Sequence, residues 1–209
     1  MMHSMTRGLV WALRFFWPLV FYEAATGIAG VIAGREHLWF ALFGGAVIAI
    51  PVFCAVYRKK KRRGMPGARE IAFRFAAGAV LGVALNFVMA VSGLSRYAGS
   101  YEKAAEQLFT MPVSLQLAGM CILAPFAEEL MFRGLAYGQL RETFPVKTSA
   151  VLSALYFGAA HGNIAQGIYG FIVGLFLAKS YEETGLSGSF AMHMGANIAA
   201  VLLSAFFGI

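Results

Sequence analysis

The chain has 209 residues, 59% of them hydrophobic and only 13% charged, with a mean hydropathy of +0.69. This composition is too apolar for a soluble domain and predicts an all-α protein that crosses a membrane several times. The net charge of +7 could suit nucleic acid, but six of the basic residues form one run, Arg58 to Arg63, after an apolar segment. Such a run is typical of a cytoplasmic loop beside anionic lipid, so we expect no nucleic-acid partner.

Three apolar segments in the first half of the chain are long enough to span a bilayer core, which needs roughly 20 residues. They cover residues 9–33, 38–57 and 71–94. The first is too long for a secretory signal and lacks a clear cleavage site, and a membrane helix tolerates its Pro18 as a kink. A basic loop, 58–69, follows the second segment, and a polar connection with a short amphipathic pattern, 95–110, follows the third.

Four more helices are predicted in the second half, which gives about seven transmembrane helices in total. They cover about 112 to 141–143, 147–160, 165–181 and 189–207, with turns near Pro145 and Gly162. We expect one membrane domain, 1–209, in which 1–110 holds the amino-terminal helices and 111–209 the catalytic core. Cys54 and Cys121 lie in apolar segments without CxxC spacing, so they predict neither a disulfide framework nor a zinc knuckle, and we interpret them as packing residues.

The distribution of basic residues predicts a cytoplasmic amino terminus. With that orientation the loop 58–69, Arg141, Lys147 and Lys179 lie inside, and only Arg35, Arg96 and Lys103 lie outside. Cytoplasmic loops of membrane proteins carry this excess of lysine and arginine.

The most informative segment is residues 124–134, Ala-Pro-Phe-Ala-Glu-Glu-Leu-Met-Phe-Arg-Gly. Glu129 and Arg133 are four residues apart, so on a helix they share a face and can pair. Glu128 points about 100° away and is left as the free carboxylate. Ionisable groups at bilayer depth are costly and mark functional sites.

Two histidines fall in or beside predicted spans, in the patterns Phe157-x-x-x-His161 and His193-x-x-x-Asn197. The hairpin that turns near Pro145 places Glu128 and His161 at similar depth, both about 25 Å from the turn at 1.5 Å per residue. The same counting puts His193 only about 10 Å from the cytoplasmic end, a mismatch that implies a deeper start for the last helix or a longer Glu-Glu helix.

A carboxylate base, a histidine and oxyanion donors suffice to add water to an amide carbonyl. The chain contains no aspartate, which excludes an aspartyl intramembrane protease, and it has no HExxH zinc motif. The segment 185–188, Gly-Leu-Ser-Gly, matches the GxSG pattern of rhomboid serine proteases. Its serine lies at a predicted helix start, however, where serine is an ordinary N-cap, and His193 points about 240° away on the same helix.

Three motifs in order on hydrophobic helices, Glu128-Glu129-x-x-x-Arg133, Phe157-x-x-x-His161 and His193-x-x-x-Asn197, resemble those of the CPBP family, which includes Rce1-type CAAX prenyl endopeptidases and bacterial Abi proteins. The resemblance spans roughly 110–209. It implies a glutamic intramembrane endopeptidase without metal or cofactor and with an intramembrane catalytic cavity.

The resemblance also implies roles for the motif residues. Glu128 is the general base that activates water, His161 holds or polarises that water, and His193 with Asn197 stabilises the oxyanion. Glu129 and Arg133 support the site, and Phe157 is a packing residue.

The resemblance leaves the substrate open: a membrane-associated protein or peptide, prenylated or carrying a carboxy-terminal sorting signal. The resemblance also implies localisation in a bacterial or archaeal cell membrane. The residues alone also permit a proton-coupled carrier, a zinc enzyme that uses Glu128, His161 and His193 as ligands, or a non-catalytic membrane scaffold.

Overall fold

The computed structural model describes residues 2–34, 38–58, 66–94 and 111–207, and within these ranges it is helical with no strand. The helices are α1 (Met2–Ala33), α2 (Leu38–Tyr57), α3 (Ala68–Ser92), α4 (Val113–Leu140), α5 (Val146–Ala159) and a last stretch, Ile164–Phe207. The predicted amphipathic connection 95–110 and most of the basic run, 59–63, lie outside the described residues.

The last stretch is broken at Gly185, whose φ of 71° and ψ of −165° are not helical. Glycine accepts this conformation because it has no Cβ. We call the part before the break, 164–184, α6 and the part after it, 186–207, α7. The expected connection between 181 and 189 was therefore wrong, since a single glycine turns the chain and both helices extend toward it.

Five segments are long and apolar enough to cross a membrane, judged by length and composition among the described residues. They are Gly8–Ala33, Trp39–Tyr57, Ala68–Ser92, Val113–Leu140 and Ile164–Phe206. The fifth contains the break at Gly185, and the 14-residue helix α5 is shorter than a full span. The protein is thus an all-α, polytopic integral membrane protein. Its described residues form seven helical segments when the two sides of Gly185 are counted separately.

Helix α4 alternates between α-helical and π-helical segments. Gly119–Leu123 and Glu129–Tyr137 form π-helical turns, and α-helical turns lie before, between and after them. A π-helix has wider turns than an α-helix and is frequent at functional sites. Every side chain of Glu129–Tyr137 is buried, so this segment forms the centre of the bundle.

Close contact between α3 and α7 depends on glycine. A Cβ added to Gly82 would lie 2.7 Å from the backbone oxygen of Ala196, and one added to Gly78 would collide with the backbone oxygen of Met192. Small residues let membrane helices approach closely, because little separates the two backbones. This packing brings the backbones of α3 and α7 into close contact beside His193.

Both cysteines are free. Cys121 is buried and Cys54 is half-buried against the central apolar cluster, as expected for packing residues.

Candidate active site

The two central charges of α4 lie opposite each other inside the bundle. Nη1 of Arg133 is 3.3 Å from Oε1 of Glu129, and both side chains are fully buried. The spacing of four residues predicted this pair, and the pair is present. Because a buried charge is costly without a partner, each of these residues requires the other.

Two groups from neighbouring helices hold the Arg133 guanidinium. Its Cζ lies 4.4 Å from the ring centroid of Phe157 on α5, and Nη2 donates to the backbone oxygen of Gly174 on α6 at 3.3 Å. A Cβ on Gly174 would lie 3.4 Å from Nη2 and 3.0 Å from the Cα of Ala154. Sequence reasoning missed Gly174, and a glycine inside a predicted helix was the only signal for it.

His193 lies between the two adjacent glutamates. Its Nδ1 is 3.0 Å from Oε1 of Glu129, and its Nε2 is 3.7 Å from Oε2 of Glu128. The side chain of Glu129 is 0% exposed and that of Glu128 is 24% exposed. Of the two carboxylates, therefore, only Glu128 has an exposed surface.

These distances resolve the mismatch in depth that residue counting produced. His193 lies at the level of Glu128 although α7 begins close before it, after the Gly185 break. The π-helical winding of Glu129–Tyr137 contributes, since its wider turns rise less per residue and shorten this part of α4.

His161 reaches the cluster through Phe157. The Phe157 ring meets the imidazole of His161 edge-on at 4.9 Å between centroids, and that of His193 at 5.7 Å. No hydrogen bond or ion pair joins Glu128 to His161 in the described part of the chain. The Nδ1 atom of His161 lies 2.8 Å from the backbone oxygen of Phe157, and because a carbonyl oxygen only accepts, Nδ1 carries the proton and leaves Nε2 of a neutral ring as an acceptor.

Asn197 lies one turn beyond His193 and is fixed by a backbone contact. Its Nδ2 donates to the backbone oxygen of Met120, in the first π-helical segment of α4, at 2.7 Å. A side-chain amide has two N–H groups, so one remains for a further acceptor. The role of Met120 was not visible in the sequence, because an oxygen of the backbone has no residue signature.

Among the described residues, no group of three or more His, Cys, Asp or Glu side chains is arranged to hold a metal ion. In the same part of the chain, Ser187 of the GxSG segment makes no hydrogen bond to His193.

The fold and the cluster define a class: a helical membrane protein with a buried site of carboxylates, imidazoles and a guanidinium. Residues 110–199 match the family model of the type II CAAX prenyl endopeptidase Rce1-like proteins, and this match confirms the resemblance to the CPBP family. At the family level, the match supports the assignment of a CAAX-type intramembrane protease. Such a protease is a hydrolase that acts on membrane-associated protein. No curated protein and no solved structure matches the chain.

Proposed function

We propose that this protein is a glutamic intramembrane endopeptidase, which hydrolyses a peptide bond of a membrane-associated protein or peptide without a metal ion. The placement of His193 between the two glutamates carries the proposal. Glu129 is enclosed and paired with Arg133, whereas Glu128 keeps 24% of its side chain exposed within 3.7 Å of the imidazole. A general base must reach water, and Glu128 meets that requirement.

The proposed reaction begins when Glu128 takes a proton from water and the resulting hydroxide attacks the scissile carbonyl carbon. The oxyanion that forms accepts hydrogen bonds from Nε2–H of His193 and from the remaining N–H of Asn197. Glu128 then gives its proton to the leaving amine as the C–N bond breaks. His161 accepts a hydrogen bond from the water through Nε2 and orients it.

The surrounding charges favour this arrangement. The buried charges of Glu129 and Arg133 compensate each other, which leaves Glu128 as the carboxylate beside the imidazole of His193. A neutral pair is the favourable state in a low-dielectric interior. Glu129 and Arg133 therefore act as supporting residues, and Phe157 packs between the cation and the two imidazoles.

We also propose a domain organisation and a membrane orientation for the enzyme. Residues 111–209 form the catalytic core of a single membrane domain, and the amino terminus is cytoplasmic, with the basic run that begins at Arg58 beside anionic lipid. The contact of α3 with α7 supports a single domain, because a helix from the first half of the chain positions the helix that carries His193.

The decisive experiment is cleavage of membrane-anchored peptides by the purified full chain. We expect Glu128→Gln and His161→Ala to lower kcat/KM at least about 100-fold, in the range that loss of an acid–base group produces. Glu142→Gln, which removes an exposed carboxylate in the turn after α4, is the matched control and should cleave normally. Activity should persist in a strong chelator. Cleavage retained by Glu128→Gln would overturn the proposed mechanism.

A further inference from the structure

Helix α1 contributes a hydroxyl to the apolar cluster at the centre of the bundle. Tyr22 is 9% exposed and belongs to the same cluster as Ala127 of α4 and Met192 of α7. These two neighbours directly precede Glu128 and His193 in the chain. Among the buried members of this cluster in the described ranges, Tyr22 alone carries a hydroxyl, so it brings a polar group near the proposed active site.

Contacts on both sides of Tyr22 hold this part of α1 against α2. A Cβ added to Gly45 would lie 2.8 Å from the Cα of Thr26, one turn beyond Tyr22. The rings of Phe21 and Phe53 lie 6.0 Å apart between centroids. Such close packing leaves Tyr22 little freedom to move, and a fixed group can orient a reactant without a further loss of entropy.

The hydroxyl of Tyr22 makes no hydrogen bond in the described part of the chain. The charge of the Glu128 carboxylate acts on this phenol, as does that of Glu23, whose side chain is exposed. Tyr22 and Glu128 are therefore close, but they are not in direct hydrogen-bond contact. A tyrosine phenol ordinarily keeps its proton at neutral pH, so a water molecule between the two can accept from the phenol and donate to the carboxylate.

Tyr22 reaches Glu128 from a different helix pair than His193 does. Helix α1 packs against α2 and against the π-helical segment Glu129–Tyr137, whereas α7 packs against α3. In the reaction proposed above, the water directs its two hydrogens toward Glu128 and His161 and attacks with one lone pair. Bound water typically makes about three hydrogen bonds, so the second lone pair remains for a donor.

We propose that Tyr22 is a further catalytic residue, whose hydroxyl donates a hydrogen bond to the water that Glu128 activates. The proposal rests on the proposed proteolytic function and adds to it a donor from the amino-terminal half of the chain. As a proton of the water passes to Glu128, the water oxygen gains negative charge. A fixed O–H donor stabilises that charge, because a charge-assisted hydrogen bond is roughly twice as strong as a neutral one. The phenol keeps its own proton throughout.

The first test is steady-state cleavage of a membrane-anchored peptide by the full chain in nanodiscs. Tyr22→Phe keeps the buried ring and removes only the hydroxyl. We expect kcat to fall about 10–100-fold, the loss that one hydrogen bond to a charged group produces, while KM stays within about twofold of the wild-type value. The unfolding temperature should match that of the wild type, because the ring remains packed.

Tyr156→Phe is the matched control. The Tyr156 hydroxyl is buried and has no hydrogen-bond partner among the described residues, and its ring also packs against the central cluster. This substitution therefore removes a hydroxyl from the interior without touching the proposed water, and kcat should keep its wild-type value.

A second measurement does not depend on cleavage. The analogue 3-fluorotyrosine, placed at position 22, keeps the hydroxyl and reports its surroundings through the fluorine NMR shift. We expect Glu128→Gln to move the resonance of the label at position 22 and not that of the same label at position 156. Only the first label shares a water with the carboxylate in the proposed arrangement.

Several outcomes would overturn the proposal while the proteolytic function stands. They are an unchanged kcat or a change in KM alone in Tyr22→Phe, an equal loss of kcat in Tyr156→Phe, a loss that accompanies a lower unfolding temperature, and a label at position 22 that does not respond to Glu128→Gln. If the wild-type chain cleaves no peptide while that label does respond, the proteolytic function falls and the link between Tyr22 and Glu128 stands.

Discussion

Nδ1 of His193 lies 3.0 Å from Oε1 of Glu129, and both side chains are buried. The contact joins α7 to the π-helical part of α4 and turns the other imidazole nitrogen toward Glu128. One carboxylate thus orients the histidine, and its neighbour is available to water.

Glu129→Gln should destabilise the protein far more than Glu128→Gln. The first substitution leaves the buried guanidinium of Arg133 without its carboxylate, a change that typically costs about 3–5 kcal/mol. The second alters a side chain that is 24% exposed and should cost less than about 1 kcal/mol. Unfolding in detergent micelles measures both. Equal losses would show that the two carboxylates share the structural role.

Arg133→Lys should lower both stability and activity although the charge is kept. A lysine ammonium cannot lie flat on the Phe157 ring and also donate to the backbone oxygen of Gly174. We expect a double-mutant cycle with Phe157→Leu to give a coupling free energy of about 0.5–2 kcal/mol. Strictly additive losses would mean that the ring does not stabilise the cation.

Gly78→Ala should reduce activity even though α3 carries none of the proposed catalytic residues. The added methyl would collide with the backbone oxygen of Met192, the residue before His193. Overpacking of this kind costs about 1–3 kcal/mol. Gly27→Ala is the control, because a Cβ at that helical position meets no atom within 4 Å. In thermal unfolding and cleavage assays, Gly78→Ala should be less stable and less active than Gly27→Ala. Equal stability and activity of the two variants would contradict the close α3–α7 contact.

Asn197→Ala should lower kcat by about 10²–10³, the usual effect of losing one oxyanion donor, with a smaller effect on KM. Asn86→Ala is a matched control, since Asn86 also donates to a backbone oxygen, that of Gly82 at 2.8 Å, but lies on α3. Steady-state kinetics on one peptide substrate distinguishes them. A change in KM alone for Asn197→Ala would show that the residue binds the substrate and does not stabilise the oxyanion.

Much of the candidate site was predictable because its spacings are local. Glu129 and Arg133 were expected to pair from their separation of four residues, and α2 has the bounds that its apolar run predicted. Contacts between helices were harder to predict from the sequence. The position of Phe157 between the two imidazoles and the backbone acceptors at Gly174 and Met120 depend on how separate helices pack.

Hydropathy and helical periodicity are properties of short segments, so the order of residues is enough to show that this chain is a helical membrane protein and which residues on each helix share a face. The position of His193 beside Glu128 depends instead on packing between helices. It involves the break at Gly185, the π-helical turns of α4 and the glycine contacts between α3 and α7. These features act between segments far apart in the chain, where local periodicity carries no information.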